Sequence, residues 1–192
     1  MNENAEYFYT RQLNFDDLNQ LTLTANSCFA EPFYSKNFFL PFVDTHLING
    51  YISLGVFNTN HQLTAFICAR ILDYNDYNDP VVEIIKLQKF KESRTASLHS
   101  SAYVSLLGVD AAHRGKGLAK HLLNETKNHY KIFHNIREIY LHVQLSNVNA
   151  IQLYEKMGYS KLAVIDNYYQ GNVQDAAEGS NDAYLCVKRM LN

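Results

Sequence analysis

The run His113-Arg114-Gly115-Lys116-Gly117-Leu118-Ala119 constrains this chain more than any other. It joins a strand-like segment, Ala102 to Val109, to an amphipathic helical pattern, Leu118 to Tyr130. Two glycines at such a junction let the backbone approach a ligand with no Cβ in the way, and a helix start offers unpaired N–H groups and a positive dipole end. Arg114 and Lys116 add positive charge. The pattern predicts a cradle for pyrophosphate-type oxygens, although glycines here also serve simply to make a turn. The nucleotide folds that share such glycines do not fit. Gly115-x-Gly117 lacks the third glycine of a dinucleotide fingerprint, and no Gly-x-x-x-x-Gly-Lys-Ser/Thr run is present.

The elements around the loop read as an alternation of strands and helices. Glu6 to Gln12 is a strand; Asp16 and Asp17 open a helix with Leu18, Leu21 and Leu23 on its apolar side. A second helix is expected from Ser35 to about Leu47, with Pro41 marking a kink or boundary. Tyr51 to Phe57 and Leu63 to Leu72 form a hairpin over a polar turn. Val81 to Phe90 reads equally as strand or helical turn. Glu138 to Leu145 is a strand of two faces, Ile139, Leu141 and Val143 against Tyr140, His142 and Gln144. Asn147 begins a helix that Gly158 stops, and Tyr159 to Tyr169 and Ala183 to Met190 are the last strands. The order β-α-α-β-β-β-α-β-α-β-β predicts an α/β (α+β layered) architecture with helices on a mixed sheet.

The chain's 192 residues suit one well-packed domain, and no linker or repeat divides it. A net charge of −2 argues against nucleic acid as the main partner. Cys28, Cys68 and Cys186 are widely spread and lack metal-type spacing, which fits small hydrophobes in a reducing compartment. His121 and His129 do not make a compact ligand set, so no metal is expected. With no apolar leader and no membrane-length apolar run, the chain reads as cytoplasmic or nuclear.

Arg114-Gly115-Lys116-Gly117-Leu118-Ala119 has the form Arg/Gln-x-x-Gly-x-Gly/Ala, and with the element order it resembles the GCN5-related N-acetyltransferase (GNAT) superfamily. Tyr140-Leu141-His142-Val143-Gln144-Leu145-Ser146-Asn147, then Ala150-Ile151, then Tyr154-Glu155-Lys156-Met157-Gly158-Tyr159 are similar to protein N-terminal acetyltransferases of the NatE and NatF types. Ala102 to Val109 and Asn167-Tyr168-Tyr169 resemble the NatF type further. The substrate-side segment Glu31 to Phe39 matches that family loosely, with a length change near Pro32. The resemblance implies a GNAT fold over residues 1–192: a mixed, mostly antiparallel seven-stranded sheet with about four helices and an insertion at about 73–100.

It also implies acetyl-CoA as co-substrate, held by Leu107, Val109, Arg114, Gly115, Lys116, Gly117, Leu118, Ala119, Asn147 and Tyr154. Acetyl transfer from a thioester needs a neutral amine, a polarised carbonyl and a stabilised thiolate. By resemblance Tyr103 and His142 hold a water that takes the amine proton, and the Tyr154 phenol serves the leaving sulfur. An isolated strand histidine or tyrosine is more often a packed residue, Tyr154 reads equally as core, and Asn147 reads equally as a helix cap. Phe29, Phe33, Tyr34, Tyr168 and Tyr169 are the implied contacts to a peptide N-terminus, with Met followed by an apolar residue preferred.

The resemblance therefore implies acetylation of protein α-amines, and NatE-type relatives suggest a ribosome-associated complex. The end at Asn192, without a NatF-type amphipathic extension, carries no expectation of membrane association. Two alternatives stand: an acetyltransferase for lysine or small amines, and a non-catalytic acetyl-CoA-binding subunit of such a complex.

Overall fold

The computed structural model describes residues 6–29, 34–44, 50–76, 78–91, 100–169 and 181–190. The strands are β1 (Phe8–Gln12), β2 (Tyr51–Asn58), β3 (Leu63–Ile71), β4 (Ser101–Val109), β5 (Glu138–Gln144), β6 (Ser160–Ile165) and β7 (Ala183–Arg189). The helices are α1 (Leu18–Cys28), α2 (Lys36–Val43), α3 (Pro80–Lys91), α4 (Leu118–His134) and α5 (Val148–Lys156). The seven-stranded sheet has the order β1-β2-β3-β4-β5-β7-β6. Two compact units divide the chain, residues 1–70 with 105–128, and residues 71–104 with 129–192.

In the first unit β1, β2 and β3 form an antiparallel meander. Asn58 sets the hairpin turn: its side-chain oxygen accepts from the N–H groups of Asn60 and Gln62, both at 3.0 Å. Leu18, Leu21 and Ala25 of α1 and Phe39, Phe42 and Val43 of α2 pack with Phe57, Leu63, Phe66 and Leu106. Leu23 does not join them and is 72% exposed. It lies two residues from Leu21, on the opposite side of a helix, whereas 18, 21 and 25 follow the three- and four-residue spacing of one face. Helix α2 runs through Pro41 and ends at Val43, short of the expected Leu47; residues 45–49 lie outside the described residues. Gly108 is required by packing, since a Cβ there would sit 2.4 Å from Phe66 Cε1.

In the second unit β5 pairs in parallel with the first half of β4, Ser101–Val104, and antiparallel with β7, which pairs with β6. Helix α3 resolves the open reading of Val81 to Phe90 and brings the helices among the described residues to five, where about four were expected. Its start is a recognisable signal that the periodicity did not show: Asp79 caps the helix by accepting from Val81 N at 3.0 Å, and Pro80 is its first residue. Val81, Val82 and Ile85 bury against Tyr103, Tyr140, Leu185 and Val187. Both faces of β5 are largely buried, as befits a strand flanked on each side. Strand β6 stops at Ile165, so Tyr168 and Tyr169 lie in a turn beyond it.

Candidate active site

In the second unit the sheet register brings a phenol and an imidazole together. Tyr103 of β4 is paired with Tyr140 of β5, and His142 lies two residues further along on the face that Tyr140 shares. The Tyr103 hydroxyl reaches His142 Nδ1 at 3.0 Å. His142 Nε2 is sealed from solvent and has no partner among the described residues. Burial pushes the imidazole pKa down to about 4, so the ring is neutral at physiological pH. A neutral ring with one nitrogen bonded to a phenol is equipped to receive a proton.

Tyr168 completes this cluster. Its ring lies flat on the imidazole, with centroids 3.9 Å apart and planes 13° from parallel, and its hydroxyl is 2.9 Å from that of Tyr103. The turn that carries it is held by Asp182, whose carboxylate accepts from Asn167 N at 2.8 Å while Asn167 adopts φ +51°. Tyr169 N also donates to Asn181 O at 3.0 Å. The Tyr169 ring meets Tyr168 edge-on and is 38% exposed. The sequence reading assigned both tyrosines to peptide contact; the fold also sets Tyr168 against the Tyr103–His142 pair. Asp182 is a positioning residue the sequence reading missed, with no motif to announce it.

Helix α5 starts where expected, its first turn capped by Asn147 Oδ1 accepting from Ala150 N at 3.1 Å. Gly158, at φ +83°, follows its last turn. Tyr154 is buried edge-on to Tyr159, and burial keeps its phenol pKa well above the ordinary value. It is therefore a proton or hydrogen-bond donor at any physiological pH. The cysteines are all free thiols. Burial raises Cys28, Cys68 and Cys186, the last to about 11, which suits none of them for nucleophilic work.

In the first unit the glycine loop has the backbone its sequence implied. Gly115 and Gly117 adopt φ +78° and +81°, flanking Lys116, and a Cβ on either would meet only open space. The glycines are there for backbone conformation, since a positive φ is strained for any residue with a Cβ. Gly117 O accepts the N–H of His121 at 3.0 Å, which leaves the N–H groups of Leu118, Ala119 and Lys120 without acceptors inside the helix. Such a loop fits a pyrophosphate. Arg114 folds back, Nε donating to Val109 O at 3.2 Å, and Lys116 is paired with Glu6. Leu107 and Val109 are half-buried, alternating along β4 with buried Leu106 and Gly108. Glu6 is a partner that sequence reasoning did not foresee.

The same unit brings Phe29 and Tyr34 together, edge to face at 5.9 Å, with Tyr34 also against Phe38 and Phe39. Asn26 pins this tyrosine, accepting from Tyr34 N at 2.8 Å and donating to Tyr34 O at 3.0 Å. Phe33 lies outside the described residues. Among the described residues no helix is long and apolar enough to cross a membrane.

The chain belongs to the acetyltransferase (GNAT) family, whose model matches residues 18–159. It is 38% identical over 92 residues to an N-alpha-acetyltransferase of Saccharolobus solfataricus, covering 48% of this chain and 50% of that one. With N-alpha-acetyltransferase 50 of Danio rerio it shares 33% over 112 residues, 52% of this chain and 67% of that one. With a spermidine N(1)-acetyltransferase of Vibrio cholerae it shares 32% over 97 residues, 50% and 53%. The chain thus spans about half to two thirds of the length of these curated relatives. The crystal structure of Arabidopsis thaliana NAA60 in complex with acetyl-CoA matches with a TM-score of 0.74 and 25% identity, over 96% of this chain and 99% of that one.

Proposed function

We propose that this chain is an N-α-acetyltransferase, moving the acetyl group of acetyl-CoA to the α-amine of a protein N-terminus, with Met followed by an apolar residue preferred. The observation that carries the reading is the hydrogen-bonded Tyr103–His142 pair, neutral and sealed from solvent at Nε2. An α-amine has a pKa of about 8, so a sizeable fraction is already neutral near pH 7 and needs no strong base. Its remaining N–H becomes acidic as the C–N bond forms, and a weakly basic imidazole then suffices to take the proton. A lysine amine, at about 10.4, would ask more of such a base.

In this reading the N–H groups of Gly115 to Ala119 hold the coenzyme's pyrophosphate, with Arg114 and Lys116 supplying charge and Leu107, Val109 and Asn147 flanking contacts. Tyr154 protonates or hydrogen-bonds the departing sulfur, a role its protonated phenol suits. Phe29, Phe33, Tyr34, Tyr168 and Tyr169 receive the peptide. Residues 1–192 act as one acetyltransferase domain, with 73–100 as an insertion. The reading tests directly: purified protein with acetyl-CoA should label a Met-Leu peptide and spare the same peptide with a blocked α-amine. Equal labelling of both overturns it.

The similarity to a spermidine acetyltransferase favours a second reading, acetylation of small amines, which the coenzyme loop would serve equally well. Preferred turnover of a polyamine over the α-amine peptide would establish it. Acetyl-CoA binding without turnover on any amine would instead indicate a non-catalytic subunit. The NatE-type likeness extends the proposal to a ribosome-associated complex in the cytoplasm, checked by co-sedimentation with translating ribosomes.

A further inference from the structure

Glu6, just before β1, lies against the glycine loop. Its carboxylate oxygens meet Lys116 Nζ and, at 3.1 Å, His113 Nε2. Phe8 and Thr10, which share one face of β1, meet the same stretch of chain. The Phe8 ring is edge-on to His113 with centroids 6.0 Å apart, Lys116 Nζ lies 5.6 Å from that ring, and Thr10 Oγ1 is 2.8 Å from His121 Nε2. Asp110 holds His113 from the other side, Oδ2 to Nδ1 at 2.8 Å. The contact is thus built from alternate residues of one edge of the sheet, not from a single long side chain that reaches a lysine.

The charges bear on the coenzyme. Both cations assigned to it are engaged by the protein's own groups, Arg114 by Val109 O and Lys116 by Glu6. Lys116 stands between Gly115 and Gly117, at the centre of the positive-φ pair. Its ammonium holds the Glu6 carboxyl below the ordinary range, so the carboxylate is ionised at neutral pH. A carboxylate and a phosphate contend for the same ammonium, and two anions repel at that distance. Lys116 and Glu6 are both exposed, and an ion pair in water is weak. A coenzyme phosphate, which the N–H groups at the helix start bind as well, prevails over it.

We propose that Glu6 is a built-in competitor for the coenzyme: its carboxylate holds Lys116 until a phosphate of the coenzyme takes its place. This deepens the function proposed above and rests on its assignment of the glycine loop to the coenzyme. The exchange makes the loop yield its lysine only to an anion bound more firmly than a carboxylate, at the cost of some affinity.

A double-mutant cycle on the full chain, read as coenzyme A affinity by calorimetry, tests this. Glu6→Gln keeps the shape and removes the charge, and it should tighten binding by about threefold, the scale of an exposed ion pair. Lys116→Met should weaken binding by a similar factor. Adding Glu6→Gln to Lys116→Met should change affinity by less than about 1.5-fold, since no ammonium is left to contend for and the remaining repulsion is screened by salt. Unchanged or weaker binding in Glu6→Gln overturns the proposal, as does equal tightening in both backgrounds, which would be plain repulsion without exchange. Unaltered affinity in Lys116→Met, or no binding of coenzyme A by the wild-type protein, overturns the proposal together with the loop assignment. If the wild-type protein binds coenzyme A but acetylates no α-amine, the proposed function fails while the cycle still decides the role of Glu6.

Discussion

The Tyr103 hydroxyl lies within hydrogen-bonding distance of both His142 Nδ1 and the Tyr168 hydroxyl, so Tyr103→Phe removes both contacts without creating a cavity, while the Tyr168 ring stays stacked on His142. Tyr103→Phe and His142→Ala are each expected to lower acetyl transfer by about 100-fold or more, the usual scale for a general base. Acetyl-CoA affinity, measured by calorimetry, should change less than about twofold, because neither residue belongs to the glycine loop. His142 also makes stability depend on pH. The unfolded chain protonates it near 6.5, while the folded chain holds it neutral down to about 4, so between those values the unfolded state binds the extra proton. Its contribution is fully present above about pH 6.5 and is lost as pH falls toward 4, a change of about 3 kcal/mol at most. His142→Gln should flatten that acid limb in urea unfolding compared at pH 7 and pH 4.5. An unaltered limb would mean other groups govern it.

At the scale of elements, the glycine loop separates two uses of glycine. Gly108 is needed because Phe66 fills the space its Cβ would take. Gly115 and Gly117 have free space around them and are needed for their positive φ. Gly117→Ala forces a left-handed alanine, at a cost of roughly 1–2 kcal/mol, or a loop that abandons its conformation. Acetyl-CoA binding should weaken by about tenfold, read by calorimetry, while the loss of thermal stability stays within that strain. Normal coenzyme affinity in this variant would remove the loop from the binding site. The capped start of α5 at Asn147 and its stop at Gly158 are likewise local devices. They position Tyr154 whether or not it meets a sulfur.

For the molecule as a whole the open matter is the acceptor, since a coenzyme loop is indifferent to which amine it serves. The neutral, weakly basic imidazole favours an amine that is already partly deprotonated. In a competition assay near neutral pH, a tenfold excess of spermidine should reduce acetylation of a Met-Leu peptide by less than about twofold. Stronger inhibition, with acetylated spermidine as product, would shift the assignment to the small-amine reading.

What the sequence determined by itself is local. The strand–glycine–helix junction, the Asn58 hairpin and the helix from Asn147 to Gly158 were legible because capping, turn chemistry and positive φ are decided within a few residues. Helix α3 was legible in principle from Asp79-Pro80, but its mixed periodicity hid it. The placing of Leu23 in the core failed because two residues separate it from Leu21, and a helix puts such residues on opposite sides. Only the tertiary structure decided that Tyr103 meets His142, since β5 is buried on both faces and periodicity cannot tell which strand, or which register, faces it. It also decided that Tyr168 closes over the pair. That placement depends on a turn tied to Asp182, far along the chain, and on ring stacking that no spacing in the sequence encodes.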